Sequence, residues 1–243
     1  MQDFFTSLAD SFTGTFITDD RWLQLLNGLL VTVEITLFSA VIGVVIGFLI
    51  AIVRSTHDMN LSGRKCRSFG DVILKILNFI CNIYITVIRG TPVVIQLMIM
   101  YYIILASVRN GIYAAIIAFG INSGAYVAEI VRSGIMSIDK GQIEASRSLG
   151  FNHTQTMTKV VLPQAIKNVL PALGNEMITL LKETSVAGYV ALADVTYVGN
   201  LIRSRTYEAF FPLITVAAIY FVIVLILTFF LKKMERRLRL SDH

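Results

Sequence analysis

Gly28 to Val53 reads GLLVTVEITLFSAVIGVVIGFLIAIV, 26 residues with Glu34 as the one charged side chain. At 1.5 Å per residue such a helix is on the order of 39 Å long, enough to cross a bilayer core with some tilt. A soluble domain has no need of so long an uninterrupted apolar run. The run also lacks the alternating pattern of an outer-membrane strand. The fold is therefore expected to be all-α and integral to a membrane. Gly43 and Gly47 form a G-x-x-x-G pair that lets another helix approach closely, and internal packing is favoured over a dimer contact. Glu34, near the outer end, reaches the headgroups.

Working outward, the rest of the chain repeats the pattern. It is 55% hydrophobic and 15% charged over 243 residues, against about 25% charged in soluble proteins. Mean hydropathy is +0.71. The net charge of +5 does not mark a nucleic-acid binder, because the lysines and arginines gather beside the ends of apolar runs. Arg54, Arg64, Lys65 and Arg67 follow the first run, which makes that loop, with Cys66, cytoplasmic. Lys232, Lys233, Arg236, Arg237 and Arg239 follow the last run, about Pro212 to Leu231, and stop it on the same side. A lipid-binding patch is the alternative for that tail, although topology suffices to explain it. The first 20 residues hold four Asp and no Lys or Arg, unlike the basic start of a cleavable signal peptide.

Between these ends, Phe69 to Ile88 enters the membrane from the interface. Thr91 and Pro92 begin a new helix that runs to about Ala106 with Gln96 facing inward, since proline suits a first helical turn and threonine caps it. Arg109 to Gly111 turn outside. A span from about Ile112 to Met136 carries Asn122, Ser123, Glu129 and Arg132. An intramembrane carboxylate is costly, so Glu129 either lines a pathway or pairs with Arg132 one turn on. A fourth helical region, punctuated by Pro163 and Pro171, ends near Thr184. Asn175, Thr179 and Lys182 share one of its faces, and Glu176 and Glu183 lie on a neighbouring stripe. These make five spans, with the N-terminus outside and the C-terminus cytoplasmic. Residues 1–24 form an extracytoplasmic segment, 25–231 the membrane domain and 232–243 the basic tail.

One polar stretch interrupts this scheme. Glu144 to Pro163, EASRSLGFNHTQTMTKVVLP, is helix-prone and cytoplasmic by alternation, within a loop of about residues 137–163. It is longer than the ordinary 2–8-residue helix connection. Ser137 or Asp139 can cap a helix that Gly150 ends, with Ala145 and Leu149 stacked at i, i+4. An amphipathic cover for a bundle end and a docking surface for another protein both fit that description.

The spacing goes further. Glu144-Ala145-Ser146, three residues, Gly150, nine residues, Val160, then Leu162-Pro163 resembles the EAA signature of ABC importer membrane subunits, with Ser146 and Val160 as conservative departures. Arg89-Gly90-Thr91-Pro92, Ala125 to Arg132, Gly141-Gln142 and Lys182 to Ser185 look like the polar-amino-acid branch of that family. The resemblance covers about Leu25 to Arg239.

It implies a five-transmembrane-helix permease core in a prokaryotic cytoplasmic membrane, acting as a dimer with itself or a close paralogue. It implies that Gly141, Glu144, Ala145, Ser146, Gly150 and Pro163 couple the chain to a separate ABC ATPase, which carries the ATP and Mg. It further implies that an external amino-acid-binding protein delivers substrate near Val186 to Phe211. Gln96, Glu129, Glu183, Thr184 and Ser185 are the substrate-path candidates, carboxylates suiting an ammonium group and hydroxyls or amides the rest of a zwitterion. A role in holding a dimer or forming gates is equally open for them.

No G-x-x-x-x-G-K-[ST] phosphate loop occurs in the chain, so no ATPase site and no cofactor of its own are expected. His57, His153 and His243 show no metal-ligand spacing, and Cys66 and Cys81 imply no disulfide framework. A secondary transporter would be expected to show internal repeats between its halves, which are not evident. An intramembrane enzyme would need a clustered nucleophile–base or metal set. A structural subunit without a pathway would not need the polar residues of the third and fourth spans. Lipid is the remaining partner and nucleic acid is not one.

Overall fold

The computed structural model describes residues 11–61 and 68–240, and among these there are helices but no strands. The basic loop with Arg64, Lys65, Cys66 and Arg67 lies outside the described residues. The helices are α1 (Arg21–Asn60), α2 (Phe69–Gly90), α3 (Val93–Ile99), α4 (Gly111–Met136), α5 (Lys140–Ser148), α6 (His153–Thr156), α7 (Leu162–Glu183), α8 (Val195–Thr206) and α9 (Phe210–Leu240). π-helical turns extend α3 over Met100–Ile104 and link α6 to α7 over Met157–Val161. A 3₁₀ stretch, Thr184–Val190, prolongs α7.

Helix starts follow their capping chemistry. Ser68 and Asp71 form a reciprocal box at α2, and Asn152 and Gln155 form another at α6. α7 carries Pro171 in its interior, and Asn175 Nδ2 donates to the Pro171 carbonyl at 3.1 Å.

Four helices are long and apolar enough to cross a membrane, α1, α2, α4 and α9, and five if the bent pair of α6–α7 and α8 is one span. They differ sharply in surroundings. The apolar window of α4 is 72% buried, whereas those of α2 and α9 are 6% buried and turn their side chains outward.

The described residues form two compact units, and α1, α4, α7 and α9 each contribute a stretch to both. The first unit takes the described residues of Met1–Ser39, Val93–Phe119 and Ile178–Phe230. Leu25, Val195, Val198, Ile202 and Val216 form its core beside Phe16, Ile219 and Tyr220. Asp194, fully buried, caps α8 by accepting from the amides of Thr196 and Tyr197, both at 3.0 Å. The Val195 amide donates to Thr32 Oγ1 at 3.2 Å, which ties α8 to α1.

The second unit takes the described residues of Ala40–Pro92, Gly120–Met177 and Leu231–His243. Ala51, Val127, Val131, Ile135, Val161, Ala165 and Val169 make one core, and Ile85, Ala125 and Ala128 another. The G-x-x-x-G pair is used internally here: a Cβ on Gly43 would lie 2.9 Å from Ser123 Cβ, and one on Gly47 would lie 2.4 Å from Val127 Cγ1. The Gly47 position also comes within 2.9 Å of the Ala128 backbone nitrogen, which has no rotamer by which to retreat. Gly47→Ala is therefore expected to cost about 1–3 kcal/mol through overpacking. Thermal unfolding of the purified variant in detergent checks this, and a wild-type midpoint would show that the two helices are free to part.

Candidate functional site

The polar stretch begins with a cap. Asp139 Oδ1 accepts from the Gly141 amide at 2.7 Å and starts α5, while Ser137 Oγ donates instead to the Gly134 carbonyl at 2.8 Å. Of the two caps the sequence allowed, Asp139 is the one used. At the other end Gly150 has φ +88°, the left-handed C′ position expected of it, and its amide donates to the Arg147 carbonyl at 3.0 Å. The Phe151 amide closes the turn on the Ser146 carbonyl at 3.1 Å.

α5 is held by its other side. Ser146 is buried, donates to the Ile143 carbonyl at 2.8 Å and lies 3.1 Å from Thr156 Oγ1, which ties α5 to α6. Ile138, Ile143 and Met157 pack on the core around Val161 and Ala165. Ala145 and Leu149 share a face as expected, but that face points to solvent, with Leu149 79% exposed. Gly141, Glu144, Arg147, Ser148, Gly150 and Pro163 are exposed with it. The outcome is a rigid, capped helix that presents an apolar residue amid polar ones. Beside its start an open cavity of about 370 Å³ is lined by Ile138, Asp139, Gln142, Gln164 and Lys167. Asn168 Nδ2 donates to Ser137 Oγ at 3.1 Å across its wall.

The path candidates separate. Gln96, Glu183, Thr184 and Ser185 belong to the first unit, where α3 packs against Thr184–Val190. Gln96, Glu183 and Ser185 are half-buried, whereas Thr184 is buried and its hydroxyl donates to the Leu181 carbonyl at 2.7 Å. On α7, Asn175, Thr179 and Lys182 are exposed.

Glu129 belongs to the second unit and is ion-paired. Arg54 Nη1 donates to its Oε1 at 2.8 Å, and Arg132 Nη2 to its Oε2 at 3.3 Å. Arg132 Nη1 also reaches Asp58 Oδ2 at 3.0 Å. The pairing with Arg132 is the alternative the sequence left open, and Arg54 adds a second cation to it. Sequence reasoning treated Arg54 as a topology charge and passed over Asp58. Their i, i+4 spacing puts both on one face of α1 but does not point to residues 74 and 75 positions away. It also missed the pairing of Ser123 Oγ with Glu176 Oε1 at 2.9 Å.

Residues 72–240 match the family model described as binding-protein-dependent transport system inner membrane component. The arginine transport system permease protein ArtQ of Bacillus subtilis is 39% identical, over 90% of this chain and 94% of that protein. The glutamine transport system permease protein GlnP of Escherichia coli K12 is 35% identical, over 85% and 91%. A crystal structure of an amino acid ABC transporter with histidines superposes with a TM-score of 0.76 at 41% identity, covering 88% of this chain and 94% of that one. An inward-facing structure of the MetNI methionine ABC transporter, at 23% identity and a TM-score of 0.75, shares the fold.

Proposed function

The chain belongs to the family of binding-protein-dependent transport system inner membrane components, and on that premise we propose the following account of how it works. It is a multi-pass protein of the cytoplasmic membrane and the membrane subunit of an ABC importer for a polar amino acid, with relatives named for arginine and glutamine. It is a transport subunit, and ATP hydrolysis lies in a separate ATPase. A substrate-binding protein is the other partner class such a permease implies.

The observation that carries the mechanism is α5. A short helix capped at both ends, fastened through Ser146 and exposing Glu144, Ala145, Arg147 and Leu149, has the form of a lever for another protein to push. ATP and Mg, bound by the ATPase, drive closure of the ATPase dimer. α5 follows, and its hydrogen bond to α6 passes the motion to α7. Gly141 supports the N-terminal turn, Gly150 the exit, and Pro163 the start of α7.

The chain crosses the membrane five times, with residues 1–24 outside and the basic tail from 232 inside, a topology supported by where Lys and Arg cluster. It works as a dimer with itself or a close paralogue. Gln96, Glu183, Thr184 and Ser185 belong to the substrate path, supported by the packing of α3 on Thr184–Val190.

The test is capture of the tagged chain in mild detergent followed by ATPase assay. A stoichiometric ATPase should co-purify, and its capture should fail when Glu144–Gly150 is disrupted. A chain that comes down alone and inactive in several detergents would remove the proposal.

A further inference from the structure

The second unit gathers three guanidiniums, Arg54, Arg89 and Arg132, around two carboxylates, Glu129 and Asp58, with His57 Nδ1 3.4 Å from Asp58. One positive charge is left over, and the geometry says which. Arg54 and Arg132 hold close bonds to the carboxylates, whereas Arg89 Nη1 stands 3.9 Å from Glu129 Oε2, beyond hydrogen-bonding reach. Among the described residues no acceptor lies within hydrogen-bonding distance of Arg89, although a guanidinium offers five N–H donors. The neighbouring Arg54 Nε is also buried without a partner.

Arg89 is nonetheless held in place. Its guanidinium carbon lies 5.2 Å from the centroid of the Tyr126 ring, and its side chain remains 44% exposed. This contact holds the cation over the ring face, and its N–H donors, without a close acceptor, are available to a carboxylate. Tyr126 and Glu129 sit one turn apart on α4, the most enclosed of the long helices. Arg89 therefore folds toward the protein's interior helix and away from the outward faces of α2, where a lipid phosphate would be met.

We propose that Arg89, stacked on Tyr126, is the group that receives the α-carboxylate of the amino acid in passage. The inference rests on the importer reading and adds to it a cationic partner for the anionic end of the substrate.

The test uses the permease with its ATPase subunit in phosphatidylcholine nanodiscs, without binding protein. The probes are radiolabelled L-arginine and L-glutamine, competed by unlabelled amino acid or by its carboxamide, which lacks the anionic end. Wild type should bind at least one probe and prefer the acid to the amide. Arg89→Ala should weaken binding about tenfold, the scale of one lost charge-assisted hydrogen bond, and bring the acid-to-amide ratio close to one. Arg89→Lys should restore part of the ratio. If Arg89→Ala does not assemble, Tyr126→Leu reads the same ratio and should lower it severalfold.

A wild-type ratio in these variants overturns the proposal, even where overall binding is weaker, because a merely structural role would lower both competitors together. It is equally overturned if wild type binds neither probe, or if Arg89→Ala alters only the retention of added phosphatidylglycerol. Failure of the importer reading is separate. It is read as absence of both ATPase stimulation and uptake by the wild-type complex when binding protein is present.

Discussion

Glu129→Ala is expected to lower the thermal midpoint of the detergent-solubilised protein by roughly 6–12 °C, from a destabilisation of about 3 kcal/mol. The carboxylate is 22% exposed and neutralises Arg54, which is 15% exposed, as well as Arg132. Removing it leaves Arg54 and Arg89 without a carboxylate and Arg132 with Asp58 alone. The cost lies at the lower end for an uncompensated buried charge because neither partner is fully enclosed. Glu129→Gln, which keeps an acceptor but no charge, should fall between alanine and wild type. Asp58→Ala should cost less, since Asp58 neutralises Arg132 alone by a close bond and is 26% exposed. A Glu129→Ala midpoint equal to wild type would mean that water already solvates these arginines.

Gly150→Leu is expected to abolish amino-acid uptake while leaving membrane insertion intact. At φ +88° an L-residue is strained by about 1–2 kcal/mol. A Cβ added there would meet nothing within 4 Å, so the strain is confined to the backbone of the turn. Relief must come from that turn, where the Gly150 and Phe151 amides close on Arg147 and Ser146. The exposed end of α5, with Leu149, then changes direction. Gly150→Asn separates the backbone from the side chain, because asparagine tolerates the left-handed region, and it should retain most uptake. Uptake assayed in reconstituted vesicles checks both variants, and normal transport by the leucine variant would detach this turn from coupling.

How much of this was legible in the sequence depended on how local the cause was. A cap at Ser137 or Asp139, the Gly150 exit and the start of α3 next to Pro92 each follow from residues within a turn of the feature, and the structure uses Asp139. Span ends were less legible. Hydropathy placed the first span at 28–53, whereas α1 runs from Arg21 to Asn60, because backbone hydrogen bonds continue past the apolar segment. The same holds for the last span, read as 212–231, within α9 from Phe210 to Leu240. The outward aim of Ala145 and Leu149 was not legible, since an i, i+4 pair has the same spacing whether it meets a core or solvent. Burial of Ser146 depends on Thr156, ten residues away and in another helix. The partner Arg54 of Glu129 is 75 residues distant, and no periodicity reports such a pairing.

The unequal enclosure of the long helices has a consequence for biogenesis. α9, with few fully buried residues along its apolar window, can partition into lipid on its own hydrophobicity. α4 carries Asn122, Ser123, Glu129 and Arg132, and a lone charge at the centre of an inserting helix costs about 2.5–3.5 kcal/mol. The ribosome emits the N-terminal helices first. Arg54 and Asp58 of α1 and Arg89 of α2 have therefore left the ribosome before α4 is made, and they offer counter-ions on its arrival. The order of the helices along the gene is thus part of the assembly programme. A circularly permuted chain in which α4 emerged ahead of α1 would present its charges to lipid with only the Glu129–Arg132 pair formed, before Arg54 or Asp58 had been translated.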